Sequence, residues 1–557
     1  MNSAGLLERQ SFVEMSARAR VTRVLDSGTM RELLDPFERL RSPWLAMQDI
    51  VTQADDGVVI ARGTIAGVDV VCAAIEPAFQ GGSMGEVGGA KIAGALEAAL
   101  ADARDGQPVV PVLLLETGGV RLQEANCGLA AIAEIHAAIV ALREFVPVVG
   151  VITGPVGCFG GMSIAAGLCS ELIVTREARL GLNGPQVIEQ EAGIDEFDSR
   201  DRPLIWGLTG GDQRHATGLV ERLCDDDCEN LAAAIAEAVT APPATPARMR
   251  AVDTQLARLS AIDPSRALSP AEVRSVYDQP PATRATRPQN ADNAASSRGA
   301  RWLAALTDGA DRRAGYPSSV QVVDHDHARY IAVVPDADNR FVRARAGEVG
   351  LVEGWTLARA LDDVIEADAK QPDKRPIIAV IDVPSQAYGR IEEAFGIHQA
   401  LAAAAQSYAR ARQAGHPVIG LIVGKAMSGA FLAHGYQANR LIALDDEGVQ
   451  VHAMGKQAAA RITQRTVEGV DKLAETITPM AYDIASFDTL GLLFERLAVD
   501  SADTPGTADV ARVMSALDRA RADIGDDRSL KSRLDSPGRT ASVEVRRRLA
   551  EQWRTAP

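Results

Sequence analysis

Aromatic side chains make up only 4% of this 557-residue sequence, so its core has to close on small aliphatic side chains packed between layers. Cysteine is scarce too. The six cysteines (Cys72, Cys127, Cys158, Cys169, Cys224, Cys228) all fall in the first half and never form a Cys-x-x-Cys pair, which makes buried, reduced thiols the expectation. Cys224 and Cys228 flank three aspartates without the further ligands that zinc needs. His325 and His327 would share one face of a strand, again with no third ligand nearby. No metal site is expected.

Positive charge is in deficit: 58 Lys and Arg stand against 74 Asp and Glu, a net charge of −16. That balance argues against a nucleic-acid-binding surface. Local basic groups at Arg200, Arg202 and Arg214, and at Arg546, Arg547 and Arg548, read as solvated charge. The start of the sequence lacks a basic stretch followed by an apolar run, so a cytoplasmic location is expected. Phe145 to Ser170 is uncharged and long enough to span a membrane. Its glycines and prolines suggest instead a buried strand, a glycine turn and a buried helix, and no membrane association. Neither a Walker-type loop nor a Gly-x-Gly-x-x-Gly following a strand is present, which excludes the usual nucleotide and dinucleotide cradles.

What is abundant is small and apolar: 46% of residues are hydrophobic and 48 are glycine. The length suggests two domains. A stretch rich in Pro, Thr, Ala and Asn over 279–297 reads as a linker between units 1–278 and 298–557. The two units echo each other. Gly85-Glu86-Val87-Gly88 recurs as Gly347-Glu348-Val349-Gly350, and Pro147 to Gly154 is answered by Pro417 to Gly424. In both, an apolar strand runs through a small-residue turn into a short helix, Gly157 to Met162 and Lys425 to Phe431. Alternating strands and helices imply an α/β fold with largely parallel sheets, internally duplicated.

Those turns carry the chemistry. The first turn of a helix leaves backbone N–H groups without internal acceptors, and glycine lets a substrate carbonyl approach them. Gly160-Gly161 and Gly429-Ala430 are such places, and Gly118-Gly119 is a third.

The motifs Glu116-Thr117-Gly118-Gly119-Val120-Arg121, Gly154-Pro155 through Gly160-Gly161, Asp382-Val383-Pro384, Glu392-Glu393, Gly396 and Lys425 through Phe431 resemble the carboxyltransferase branch of the crotonase superfamily. Within it the sequence is similar to biotin-independent malonate decarboxylases, with the beta and gamma subunits joined. The resemblance implies two tandem crotonase-like domains of ββα spiral type. It implies that Gly160 and Gly161 hold the thioester oxygen, with Gly118 and Gly119 lining the cavity. Gly429 and Ala430 match the partner hole that in carboxyltransferases holds the biotin carbonyl.

The implied reaction is decarboxylation of malonyl-S-[acyl-carrier-protein] to the acetyl thioester and carbon dioxide, through an enolate stabilised by N–H donors. Candidates for the proton donor are Tyr388, His398 and Ser428. Gln386 and Arg390 are candidates for holding malonate's carboxylate. No cofactor is expected on this chain. The substrate would ride on a phosphoribosyl-dephospho-CoA arm of an acyl-carrier-protein subunit, loaded by a malonate:ACP transferase subunit, in an oligomeric complex. Two other readings stand beside this one: a biotin-dependent acyl-CoA carboxyltransferase, and a non-catalytic scaffold that binds a carrier protein.

Overall fold

The computed structural model describes residues 9–279 and 297–554. The expected linker lies, apart from its ends, outside the described residues, as does the N-terminal stretch on which the reading of location rested.

Each half builds one seven-stranded sheet. The first runs in chain order: β1 (Arg31–Leu33), β2 (Val58–Ile65), β3 (Val68–Ile75), β4 (Val110–Leu114), β5 (Val149–Ile152), β6 (Glu171–Thr175) and β7 (Arg222–Cys224). β1, β2 and β3 pair antiparallel, and every later pairing is parallel. The second sheet starts from the antiparallel pair β8 (Val320–His325) and β9 (Ala328–Val333). It continues parallel through β10 (Ile377–Val383), β11 (Val418–Met427), β12 (Arg440–Leu444) and β14 (Glu495–Leu497), with β13 (Gln450–His452) beside the far end of β11. β4 and β5 are uncharged and buried along their whole length, as parallel strands covered on both faces must be.

Eight helices matter below: α1 (Glu86–Arg104), α2 (Ala125–Leu142), α3 (Gly161–Leu168), α4 (Leu351–Ala367), α5 (Arg390–Ala394), α6 (Ile397–Gln413), α7 (Ser428–Ala433) and α8 (Thr540–Arg554). The uncharged run from Phe145 folds as β5, a glycine loop and α3. A different segment, Leu122–Leu142, is apolar and long enough to cross a membrane, but it is 94% buried inside the protein and serves as a core helix.

The duplication is real, yet its register differs from the sequence match. Gly85 caps α1 with φ −101° and ψ −165°, and Gly350 caps α4 with φ −102° and ψ −160°. Met84 bridges Val120 as Val349 bridges Gln386. Gly85 is therefore the counterpart of Gly350, not of Gly347, and the repeated Gly-Glu-Val-Gly lies three residues out of structural register.

Two further sequence expectations change. β8 ends at His325, and His327 sits in the hairpin with φ 60°, so the two imidazoles do not share a strand face. The arginines near the C-terminus form no free basic patch. α8 packs back on α1 of the first half, where Arg546 pairs with Glu97 at 2.9 Å and Glu134 at 2.8 Å. Arg547 and Arg548 pair with Glu544, and Arg548 also reaches Glu38. Arg546, largely buried and doubly paired, fastens α8 to the first half, and Arg548 adds its contact to Glu38, whereas Arg547 is half exposed and pairs within its own helix.

Candidate active site

The loops after β4 and β5 are fastened to each other by a carboxylate. Glu116 is 2% exposed, and one of its oxygens accepts the Gly157 N–H at 2.6 Å. A Cβ on Gly154 would overlap that carboxylate, so glycine is required there. The second half repeats the device: Asp382 accepts the Lys425 N–H at 3.1 Å, and a Cβ on Gly424 would overlap it. In each half the staple ties the end of one parallel strand to the segment that leads from the next toward α3 or α7.

Four of the glycine amides singled out in the sequence have partners inside the protein. Gly118 N–H donates to Gly81 O at 3.0 Å, Gly119 N–H to Thr117 Oγ1 at 3.0 Å and Gly160 N–H to Leu182 O at 2.8 Å. In the second half, Gly429 N–H donates to Gln386 Oε1 at 3.1 Å. Gly161 and Ala430 lie in the first turns of α3 and α7, and their N–H groups have no acceptor among the described residues.

Val120 adds an amide that the sequence did not flag. Met84 N–H donates to Gly119 O, and Arg121 N–H to Met84 O. In such a parallel bridge the residue between these bonds points its own N–H the other way. Gly160 sits beside it: a Cβ there would lie 3.0 Å from Gly119 Cα and 3.7 Å from Val120 N. Its φ of 59° and ψ of −149° belong to a region open essentially to glycine alone. The bare Gly160 Cα is thus flanked by two amides, Val120 N–H and Gly161 N–H, with no acceptor among the described residues.

A polar chain across the two halves joins both loops. Leu182 O takes the Gly160 N–H, Asn183 Oδ1 takes Gln386 Nε2 at 2.9 Å, and Gln386 Oε1 takes the Gly429 N–H. Burial raises the Glu393 carboxyl to about 7 against the opposing pull of Arg214.

Residues 13–281 match the family described as carboxyl transferase domain, and residues 344–553 match the malonate decarboxylase gamma subunit. The malonyl-S-ACP:biotin-protein carboxyltransferase MADC of Malonomonas rubra is 40% identical over 237 residues, 41% of this chain and 72% of that protein. This chain belongs to the malonate decarboxylase family. A carboxyltransferase-type beta half and a gamma half are joined in it as two crotonase-like α/β units. MADD of the same organism is 35% identical over 161 residues, 28% of this chain and 55% of that protein. One chain of a Pseudomonas malonate decarboxylase hetero-tetramer, solved in complex with malonate, is 61% identical; the match covers 50% of this chain and all of that one, with a TM-score of 0.48.

In this malonate decarboxylase family member the remaining candidates fall in different places. Ser428 shares a positive φ with Gly160, 55°, on the left-handed side of backbone space that favours glycine. Tyr388 stands near it, and burial raises the phenol's pKa, so it holds its proton at neutral pH. His398 lies elsewhere, at the start of α6, 0% exposed, with no hydrogen-bond partner among the described residues on either ring nitrogen. Burial, together with Arg214 and Arg248, keeps it neutral. Arg390 points away from the donor loops: its N–H binds Glu196 at 2.8 Å and its guanidinium reaches Leu268 O. Arg214, read from the sequence as a surface charge, is 0% exposed and holds Leu180 O and Glu393 O.

Proposed function

We propose that this chain cleaves the malonyl thioester carried by an acyl-carrier-protein subunit, releasing carbon dioxide and leaving the acetyl thioester. The observation that carries the reading is the pair of amides without an acceptor among the described residues, Val120 N–H and Gly161 N–H, on either side of Gly160. As the bond to the departing carboxylate breaks, its electron pair flows into the thioester and charge collects on the carbonyl oxygen. Donors fixed beforehand at that oxygen stabilise the enolate more than the ground state. Removing one such donor typically costs ~2.7–4 kcal/mol. Tyr388, protonated and near Ser428, supplies the proton that converts the enolate carbon to a methyl group.

In the second half Gln386 already occupies the Gly429 N–H, which favours the first half as the thioester site and supports a reaction without biotin. The relatives' names favour a second reading, in which the carboxyl passes to a biotin protein. Residues 1–278 would then act as the beta-type unit and 298–557 as the gamma-type unit in either case. The carrier's phosphoribosyl-dephospho-CoA arm, a malonate:ACP transferase subunit, a larger oligomeric complex and a cytoplasmic location complete the proposal.

The deciding experiment gives the full chain malonyl-CoA or malonyl carrier protein without biotin and measures released carbon dioxide. Release supports decarboxylation. Silence that is broken only by added biotin or a biotin protein would establish the second reading.

A further inference from the structure

Glu393 stands in the gamma half, yet its carboxylate serves the beta half. One oxygen accepts the Asn183 N–H at 2.7 Å and the other the Leu182 N–H at 3.1 Å. The group is 0% exposed, and the room it occupies depends on a glycine, since a Cβ on Gly181 would come within 2.6 Å of its Oε2. Arg214 holds both sides of the contact. Its Nε donates to Leu180 O and its Nη1 to Glu393 O, each at 2.8 Å, while its Nη2 lies 3.6 Å from the carboxylate.

The clamped segment lies between the two donor loops. Leu182 O receives the Gly160 N–H at 2.8 Å, while Asn183 receives Gln386 Nε2 and donates its Nδ2 to Ala387 O at 3.0 Å. A carboxyl group offers one oxygen to each of two adjacent N–H groups at once. A glutamine would keep one acceptor and turn an NH2 toward the other donor.

We propose that Glu393 is a positioning residue for the first donor loop. By fixing Leu182 and Asn183 it directs the Gly160 N–H inward and leaves the Gly161 N–H as the free donor. The catalytic part of this proposal rests on the reading of Val120 and Gly161 given above; the positioning part is a statement about the protein alone.

The test uses Glu393→Gln and Gly181→Ala in the full chain, with malonyl-CoA as the probe. Two measurements are made: amide hydrogen exchange across the chain, and steady-state release of carbon dioxide. The expected result is exchange accelerated about tenfold or more, confined to residues 158–163 and 180–186, with kcat down by a similar factor and KM within about threefold. Unchanged exchange at the Gly160 loop would overturn the proposal. So would exchange that rises evenly over the whole chain, which marks a merely structural role, or an unchanged kcat in an active protein. If the wild type releases no carbon dioxide without biotin, the decarboxylase reading fails, and the exchange result still decides the positioning role.

Discussion

Gln386 places its side-chain oxygen 3.1 Å from the Gly429 N–H, filling in the gamma half the position that stays open beside Gly161 in the beta half. The counterpart of Gln386 is Val120, by their matching bridges to Val349 and Met84, and valine has no acceptor to offer. Two loops of common design therefore differ at this one position: the Gly429 donor is taken by Gln386, and the Gly161 donor meets no such acceptor among the described residues. Gln386→Ala should release the Gly429 donor. One recovered hydrogen bond corresponds to about tenfold, so carboxyl transfer from labelled malonyl-CoA to free biotin should rise by about that factor over the wild type. Equal transfer by the two proteins would show that Gln386 does not decide the acceptor.

The staples make a prediction about stability. Gly154→Ala and Gly424→Ala push a methyl group into the carboxylates of Glu116 and Asp382, breaking the bonds to Gly157 and Lys425. Each substitution should lower unfolding free energy by about 1–3 kcal/mol. Denaturant titration checks this, and an unchanged midpoint for either variant removes that staple from the account.

Tyr388→Phe removes the proposed acid while keeping the ring. Loss of a general acid typically costs ~10²–10⁴ in rate, so kcat should fall by at least about a hundredfold with KM little altered. Ser428→Ala, which leaves the phenol in place, should cost less. A Tyr388→Phe enzyme with wild-type kcat would transfer the role to another group.

Glu392 gives a pH dependence. Burial raises its carboxyl from an ordinary 4.5 to about 7, with Glu196 raising it further and Arg343 opposing. The folded state then binds the proton more tightly than the unfolded state, so the stability linked to this group is full below about 4.5 and is lost as pH rises through about 7. Glu392→Gln lacks that loss. Its melting temperature should therefore gain on the wild type between pH 5 and pH 8, and parallel curves for the two proteins would contradict the assignment.

Much of this architecture is written locally. The charge-free strands, the small-residue turns at Gly157–Met162 and Lys425–Phe431, and the doubling of the pattern are set by side-chain size and polarity along short stretches, because burial on both faces admits little else. Even so, the sequence match at Gly85–Gly88 misplaced the repeat by three residues, since four like letters weigh more in a string than the capping glycine that marks the helix start.

Which amides remain free was decided in three dimensions. Gly160 and Gly429 look alike in sequence to Gly161 and Ala430, but the first pair finds acceptors in Leu182 and Gln386, segments distant in the chain, and the second pair finds none among the described residues. Val120 and Glu393 gain their roles from neighbours across a bridge and across the two halves. A hydrogen bond needs a partner within about 3 Å and in line, and no pattern of residues along the chain states which distant groups will meet that condition.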